Sequence, residues 1–314
     1  MIEEISVESF SKVQNILQLL FENYKNYFNY SLDDFTAQIF EGIKAESLKV
    51  KIFKHKDDIL GISMFNIRKS KEQVSLLALL SNDILGSTDI TREFIEKELL
   101  MTSVKDMKNY YQKVLIELPR YTDFLKSIIK SLGFLEIERA TMKISREKVQ
   151  MLNSVNLPEN YSIISWTDDF IPDIATIISE ANKNTLDGKL YPELCEYEKV
   201  LGFISDIKQE KYGVLQNDNT PILTFNDKPI GICFMLVYKE KTGFIPDFAL
   251  DRSHRGKGLG KALLIESMKR IMDNEANVTE IELAVTINNT PAINLYKKIG
   301  FEISDNNRII YLKE

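Results

Sequence analysis

The second half of the chain alternates between segments with strand-like and helix-like spacing of apolar residues. An apolar run from Phe244 to Leu250 is followed by an amphipathic segment that begins near Lys261. Further on, four residues recur at helical spacing and give one buried face: Ala292, Leu295, Tyr296 and Ile299. From Tyr161 the predicted order is a strand, helices over 169–183 and 192–208, strands over 221–225, 230–238 and 243–250, a helix over 259–273, a strand over 280–286, a helix over 291–299 and two closing strands through 309–312. This order predicts an α/β domain around a mixed sheet.

The first half of the chain repeats parts of this pattern. Residues 58–65 match residues 228–235, each being a turn followed by a strand that contains a glycine. Residues 116–118 resemble 281–283, and the segment 130–134, which ends in Gly-Phe, resembles 297–301. The intervals between the glycines of the paired segments are similar, which favours two tandem copies of one fold over a chance similarity between two α/β segments.

A polar segment separates the two copies. Residues 145–160 contain Asn156, Pro158 and Asn160 and have weak periodicity. We therefore predict domains over 1–150 and 158–314. The first twenty residues lack a basic start and a cleavage site, so they are interpreted as a helix, and no apolar run reaches the length of a membrane span. These features predict a cytoplasmic protein without a membrane partner.

Composition narrows the function classes. The formal net charge of −6 disfavours a nucleic-acid-binding protein, because binding to phosphate backbones needs a broadly basic face. Two cysteines and two histidines are too few for a disulfide scaffold, a cysteine zinc site or a histidine-rich metal site, so no metal is expected. A local group of basic residues is enough for one polyanionic cofactor: Arg252, Arg255, Lys257 and Lys261.

A glycine-rich turn precedes the helix predicted from 259. Gly256, Gly258 and Gly260 lack a Cβ atom, so the chain can take a positive φ there and direct its N–H groups toward an anion. The dinucleotide fingerprint fails because Lys261 stands where its third glycine should be, and the phosphate loop of nucleotide triphosphatases fails because Ala262 stands where Ser or Thr is needed. A plain glycine-rich turn is the alternative interpretation.

Two motifs together resemble the GNAT superfamily of N-acyltransferases. Residues 255–260 fit R-x-x-G-x-G, which resembles the family's acyl-coenzyme A loop, and residues 289–301 fit N-x-x-A-x-x-L-Y-x-x-x-G-F, which resembles its other diagnostic stretch. The resemblance covers about 160 to the C-terminus. It implies two tandem GNAT-like domains, each a mixed and mostly antiparallel sheet flanked by helices, and acetyl-CoA as cosubstrate. It also implies these cofactor-binding residues: Phe248, Ala249, Leu250, Arg255, Gly256, Lys257, Gly258, Leu259, Gly260, Lys261 and Asn289.

The resemblance also suggests how acyl transfer would proceed. A backbone N–H near Ala249 or Leu250 would stabilise the oxyanion. Tyr296 is the candidate acid for the departing thiolate because a phenol is protonated at neutral pH. Asp247 is the candidate base, but Pro246 stands where other relatives carry a glutamate, so a water relay or a contact to an ammonium group are alternatives for Asp247. Both residues also have a purely structural alternative.

The sequence says less about the identity of the acceptor and about the function of the first copy. Residues 184–200 would cover the thioester end, and their acids and aromatics suit a cationic amine or form a solvated helix face. In the first copy, residues 82–89 hold one glycine and two acids, and Ile129 aligns with Tyr296, which predicts a degenerate domain without cofactor.

The sequence therefore predicts an N-acetyltransferase that transfers an acetyl group from acetyl-CoA to a primary amine of a small molecule, amino acid or peptide. A homodimer is a possible assembly. The alternatives are a non-catalytic acyl-CoA sensor and a tandem scaffold protein that binds no cofactor.

Overall fold

The computed structural model describes residues 1–25, 31–69, 72–81, 90–238, 241–304 and 308–313. The chain divides into two compact units. The first consists of Met1–Ile137 together with Arg308–Glu314, and the second of Glu138–Asn307.

The first unit is a mostly antiparallel sheet with helices on both faces. Its sheet runs β1-β2-β3-β4-β5, and only β4 and β5 pair in parallel. One apolar cluster lies beneath α1 and α2, and a second lies beneath α3 and α4. The elements are β1 Ile2–Glu4, α1 Gln14–Tyr24, α2 Leu32–Lys44, β2 Leu48–His55, β3 Asp58–Arg68, β4 Gln73–Ser81, α3 Arg92–Met107, β5 Lys113–Ile116 and α4 Asp123–Ser131.

The second unit contains two small sheets. Its elements are β6 Leu135–Ser145, of which residues from 138 onward belong to this unit, α5 Arg146–Gln150, β7 Tyr161–Ser165, α6 Ile171–Asn182, α7 Leu186–Leu190, α8 Tyr197–Lys208, β8 Val214–Leu215, β9 Pro221–Phe225, β10 Lys228–Cys233, β11 Leu236–Tyr238, β12 Thr242–Ile245, β13 Phe248–Leu250, α9 Leu259–Asn274, β14 Glu280–Thr286, α10 Thr290–Ile299 and β15 Glu302–Ile303. One sheet has the order β6-β14-β12-β11-β8, and the other has the order β13-β10-β9-β7.

Local chemistry explains where several helices begin and end. Ser31 and Asp34 form a capping box at the start of α2, and the Asp34 N–H donates to Ser31 Oγ at 3.1 Å. The helices α4 and α10 both end near a glycine in the left-handed region, Gly133 with φ 79° and Gly300 with φ 115°. The repeated Gly-Phe segments therefore end a helix in both units.

The fold class is confirmed: both units contain mixed, mostly antiparallel sheets with flanking helices. In each unit a strand, a helix, a parallel strand and a second helix follow one another, β4-α3-β5-α4 in the first and β12-α9-β14-α10 in the second. None of the helices in the described part of the chain combines the length and the apolar character needed to cross a bilayer.

The predicted domain limits differ from the structural units. The division falls at 137/138, within β6, because the later part of β6 pairs with β14 over residues 139–145 and 280–286. The predicted polar linker 145–160 begins with α5 and lies inside the second unit. The last strand, β16 Arg308–Lys313, pairs with β5 and belongs to the first unit, not to the domain that its position in the sequence suggested.

Two further predictions about elements are wrong. The start of the chain is not one helix, since β1 pairs with β2 before α1 begins. The apolar runs 230–238 and 243–250 are not continuous strands, because each is interrupted by two residues, at 234–235 and at 246–247.

Candidate functional site

The interruptions in the second unit open a cavity of about 690 Å³. The strand β12 pairs in parallel with β14 as far as Ile245 and Leu283, but the chain then passes through Pro246 and Asp247 into β13, which pairs with β10 in the other sheet. Residues of β13 and of the last part of β14 line the cavity on its two sides. Divergence of two neighbouring strands therefore creates the space.

One edge of β13 is open toward this cavity. On the other edge, Phe234 N–H donates to Asp247 O at 3.1 Å and Asp251 N–H donates to Ile230 O at 2.8 Å. Because backbone groups alternate between the two edges of a strand, the main chain of Ala249 is directed to β10, and that of Phe248 and Leu250 to the open edge. An extended ligand can thus pair with residues 248 and 250.

The loop after β13 presents free amides at the start of α9. Gly256 and Gly258 have φ of 79° and 78°, and a Cβ atom at either would meet nothing within 4 Å. Gly258 caps α9 without a side-chain hydrogen bond, and among the described residues no acceptor is found for the amides of residues 256–261. Unpaired amides and the positive end of the helix dipole favour binding of an anion at this loop.

Arginines hold this loop in place. Arg255 Nε donates to Leu250 O at 3.0 Å, and Arg252 Nη2 donates to two carbonyl oxygens at the end of α6, those of Glu180 and Lys183, both at 2.9 Å. Partial burial, and then the charge of Arg252, lowers the pKa of Arg255. The loop geometry is therefore fixed by protein contacts before any ligand arrives.

Tyr296 reaches the cavity from α10. Asn289 caps this helix through its side chain, Pro291 occupies the first turn, and Tyr296 is only 7% exposed. Burial, and then the neighbouring Cys233 and Asp247, raises the pKa of Tyr296 above that of a free phenol. The side chain therefore stays protonated at neutral pH and can act as a proton donor.

Asp247 lies at the strand break, on the wall of the same cavity. Its Oδ2 is buried and has no hydrogen-bond partner among the described residues. Burial, and then the charge of Asp187, raises the pKa of Asp247 to about 7, although hydrogen bonds to Asn182 and to the Phe248 backbone act in the opposite direction. A carboxyl group with this pKa can exchange a proton near neutral pH.

Ten of the thirteen predicted site residues line the cavity: Asp247, Phe248, Leu250, Arg255, Gly256, Gly258, Gly260, Lys261, Asn289 and Tyr296. The other three do not. Ala249 faces β10, the Leu259 side chain is buried in the core, and Lys257 Nζ donates to Tyr161 Oη at 3.3 Å.

The opposite end of the cavity holds a polar cluster that the sequence indicated only in part. The predicted acceptor segment 184–200 contributes Asp187 and Tyr191, but Glu196, Tyr197 and Glu198 are not on the wall. Arg139 of β6 pairs with Asp187, and its guanidinium lies 5.2 Å from the centre of the Tyr191 ring. Arg139 had no signal in the sequence because its partners are distant along the chain.

Comparison with known proteins agrees with this geometry. Residues 181–301, which include most of the cavity wall, match the model of the Acetyltransferase (GNAT) family. This part of the chain is a GNAT domain. Solved structures share the fold across the whole chain: a GCN5-related N-acetyltransferase from Sphaerobacter thermophilus has a TM-score of 0.63 at 14% identity, with 100% of this chain and 95% of that chain covered. A tandem GNAT protein from the clavulanic acid biosynthesis pathway has a TM-score of 0.55 at 11% identity, with 100% and 98% covered.

Curated relatives match a shorter stretch of the GNAT domain. An N-alpha-acetyltransferase of Sulfurisphaera tokodaii is 45% identical over 62 residues, which is 20% of this chain and 36% of that protein. An L-amino acid N-acetyltransferase of Escherichia coli is 39% identical over 67 residues, 21% of this chain and 41% of that protein. The alignments thus span well under half the length of these relatives.

Proposed function

We propose that the protein is an N-acetyltransferase that uses acetyl-CoA to acetylate a primary amine. The observation that carries this proposal is the single cavity that extends from the uncapped start of α9 to Tyr296 and Asp247. The residues fit a coenzyme A thioester, because free amides and two cations, Arg255 and Lys261, lie at one end of the cavity and the open edge of β13 lies beside it. Acetyl-CoA, when bound, supplies an activated acyl group and a thiolate leaving group.

The chain's own groups account for the remaining requirements of acyl transfer. The Leu250 N–H, directed to the open edge of β13, can donate to the developing oxyanion. Asp247, with its pKa near 7, can accept the proton that the ammonium form of the acceptor must lose. Tyr296, buried and protonated, can donate a proton to the departing sulfur. The curated relatives are N-acetyltransferases, which supports an amine as the acceptor.

Binding and turnover test the proposal in sequence. Coenzyme A at 100 times its Kd should raise the free energy of unfolding by about 2.7 kcal/mol, measured from the shift in thermal denaturation. Release of free thiol from acetyl-CoA should then depend on an added amine. Binding without amine-dependent thiol release would indicate a coenzyme-binding protein that is not a transferase, and no stabilisation by coenzyme A would contradict the proposal altogether.

A further inference from the structure

The polar cluster at the far end of the cavity has a defined hydrogen-bond arrangement. Arg139 Nη1 donates to Thr286 Oγ1 at 3.1 Å, and Thr286 Oγ1 donates to Asp187 Oδ1 at 2.8 Å. Arg139 also pairs directly with Asp187 Oδ1 and donates through Nη2 to Ala284 O at 3.3 Å. The side chains of Arg139 and Asp187 are 11% and 24% exposed. The positive charge of Arg139 is thus paired with Asp187 inside the protein.

The two acids of this region are less completely engaged. Within the described residues, no hydrogen bond to Asp187 Oδ2 is found, and Asp247 Oδ2 is buried without a partner. The two carboxyl groups also interact, since the charge of Asp187 contributes to the raised pKa of Asp247. This end of the cavity therefore offers acceptor oxygens to a ligand and disfavours additional negative charge.

Cations that could bind a ligand carboxylate lie at the other end. The described residues of the cavity wall include three cationic side chains, Arg139, Arg255 and Lys261. Arg255 and Lys261 flank the glycine loop, where the proposed function places the pyrophosphate. Arg139 is neutralised by Asp187. The acceptor end is left with no uncompensated positive charge among these residues.

We infer, on the basis of the proposed function, that the acceptor is an aliphatic primary amine without a carboxylate on the carbon next to nitrogen. Asp187 is the residue that determines this specificity, and Arg139 is a positioning residue that holds Asp187. A free amine and a peptide N-terminus both meet the requirement, since neither carries the α-carboxylate, whereas a free α-amino acid does not. Placing a carboxylate beside Asp187 and Asp247 in a partly desolvated site is costly, because like charges repel strongly there.

The role of Arg139 also extends the part of the chain that the acceptor end requires. Arg139 precedes the matched segment 181–301 and the domain start predicted at 158, yet it belongs to the second unit through the pairing of β6 with β14. A segment of the first half of the sequence thus completes the acceptor end of the GNAT domain.

Three acceptors of similar size test the inference: L-leucine, L-leucinamide and 3-methylbutylamine. Leucinamide resembles a peptide N-terminus, and 3-methylbutylamine is a simple amine. The amine of leucinamide is less basic than that of leucine and the amine of 3-methylbutylamine is more basic, so basicity cannot explain leucine being the poorest of the three. We expect kcat/KM for thiol release with leucine to be at least about tenfold below that with each of the others.

Two variants should shift the leucine-to-leucinamide ratio of kcat/KM in opposite directions. Asp187→Asn exposes the charge of Arg139, so the ratio should rise about tenfold. Arg139→Gln leaves Asp187 unpaired, so the ratio should fall. Loss of structure alone would lower both rates and would not move the ratio in opposite directions. Lys143→Gln is the matched control, because Lys143 also lies in β6 and pairs with Glu280 and Glu282 but is not on the cavity wall.

The outcomes distinguish failure of the inferred acceptor specificity from failure of the proposed transferase activity. Leucine turned over as well as leucinamide, or a ratio that Asp187→Asn leaves unchanged, would overturn the inference while leaving the transferase intact. Coenzyme binding with no thiol release for any of the three amines, and none for a wider amine panel, would contradict the proposed function and the inference with it.

Discussion

The paired strands that correspond in the two units differ in continuity. In the first unit β3 and β4 run unbroken beside each other from Gly61 and Ser81 to Arg68 and Gln73, with one register shift at Met64 and Phe65. In the second unit the span 228–238 is divided into β10 and β11, and the span 242–250 into β12 and β13. A β-bulge in one unit thus corresponds to a separation of two sheets in the other, and that separation opens the cavity of the second unit.

The starts of the corresponding helices, α3 and α9, also differ between the two units. At the start of α3, the Thr91 side chain accepts from Phe94 N–H at 3.2 Å, and the first turns carry Glu93 and Glu96. At the start of α9, Gly258 leaves the amides free. The start of α3 thus has a side-chain cap, while the start of α9 leaves its amides available to an anion. The loop 82–89, on which the prediction of a degenerate first domain rested, lies outside the described residues, so that prediction stays open.

The largest expected effect concerns Tyr296, which aligns with Ile129 of the first unit. Tyr296→Phe removes the proton donor and should lower kcat about 10²-fold or more, with coenzyme A affinity unchanged. Steady-state kinetics and titration calorimetry would measure both. Tyr212→Phe, at a position 37% exposed, is the control and should leave kcat unaltered. Wild-type turnover in the Tyr296 variant would remove its catalytic role.

Asp247 lies at the break between β12 and β13, where β4 of the first unit has only a bulge. If its carboxylate is the base, kcat/KM should rise as pH increases through about 7, because the protonated form below that pKa cannot accept a proton. Asp247→Asn should abolish this limb and lower kcat/KM at pH 8 on the order of 10²-fold. Asp169→Asn, an exposed acid of the same unit, should retain the wild-type profile. A preserved limb in the Asp247 variant would assign the base to another group.

Gly258→Asp places a carboxylate at the open start of α9. Its negative charge lies beside the expected pyrophosphate, so the Kd for coenzyme A should rise about tenfold or more. The positive φ should also cost about 1 kcal/mol of stability. Gly202→Asp, at an exposed glycine with open space around it, serves as the control. Unchanged affinity in the Gly258 variant would argue against an anion site at this helix.

The smallest expected effect is on coenzyme A binding when either of two aligned glycines, Gly61 or Gly231, is replaced. A Cβ atom at Gly61 would lie 2.6 Å from Ile95 Cγ2, and one at Gly231 would lie 3.0 Å from Ala249 O. Both Gly→Ala changes should lower the free energy of unfolding by about 1–3 kcal/mol. Only Gly231→Ala should also weaken coenzyme A binding, by a few-fold, because it displaces β13. Chemical denaturation and calorimetry would show this, and equal binding effects would contradict the assigned roles of the units.

Local signals predicted much of the fold and the coenzyme side of the site. The strands 221–225 and 280–286 have the predicted bounds, and α9 and α10 differ from prediction by one residue. Helix periodicity, a capping Asn289 and Gly300 are properties of neighbouring residues, so one sequence reveals them. The breaks at 234–235 and 246–247 were missed because apolar runs do not show where a sheet divides, although Pro246 inside a run was an available signal.

Contacts between distant segments could not be predicted. Arg139 and Thr286 are 147 residues apart in sequence, and nothing near Arg139 indicates a functional residue. The placement of β16 beside β5 likewise depends on pairing between Lys113–Ile116 and the end of the chain. Hydrophobic pattern predicts that these segments are strands but does not specify their partners.

The position of β16 has a consequence for the order of folding during synthesis. Val114, Leu115 and Ile116 of β5 meet their partners only when Lys313, Leu312 and Tyr311 have been made. A ribosome therefore has to translate the whole GNAT domain before the first unit can be completed, and until then β5 lacks this neighbour. Nascent chains arrested before residue 308 should consequently be more sensitive to protease in the first unit than full-length chains.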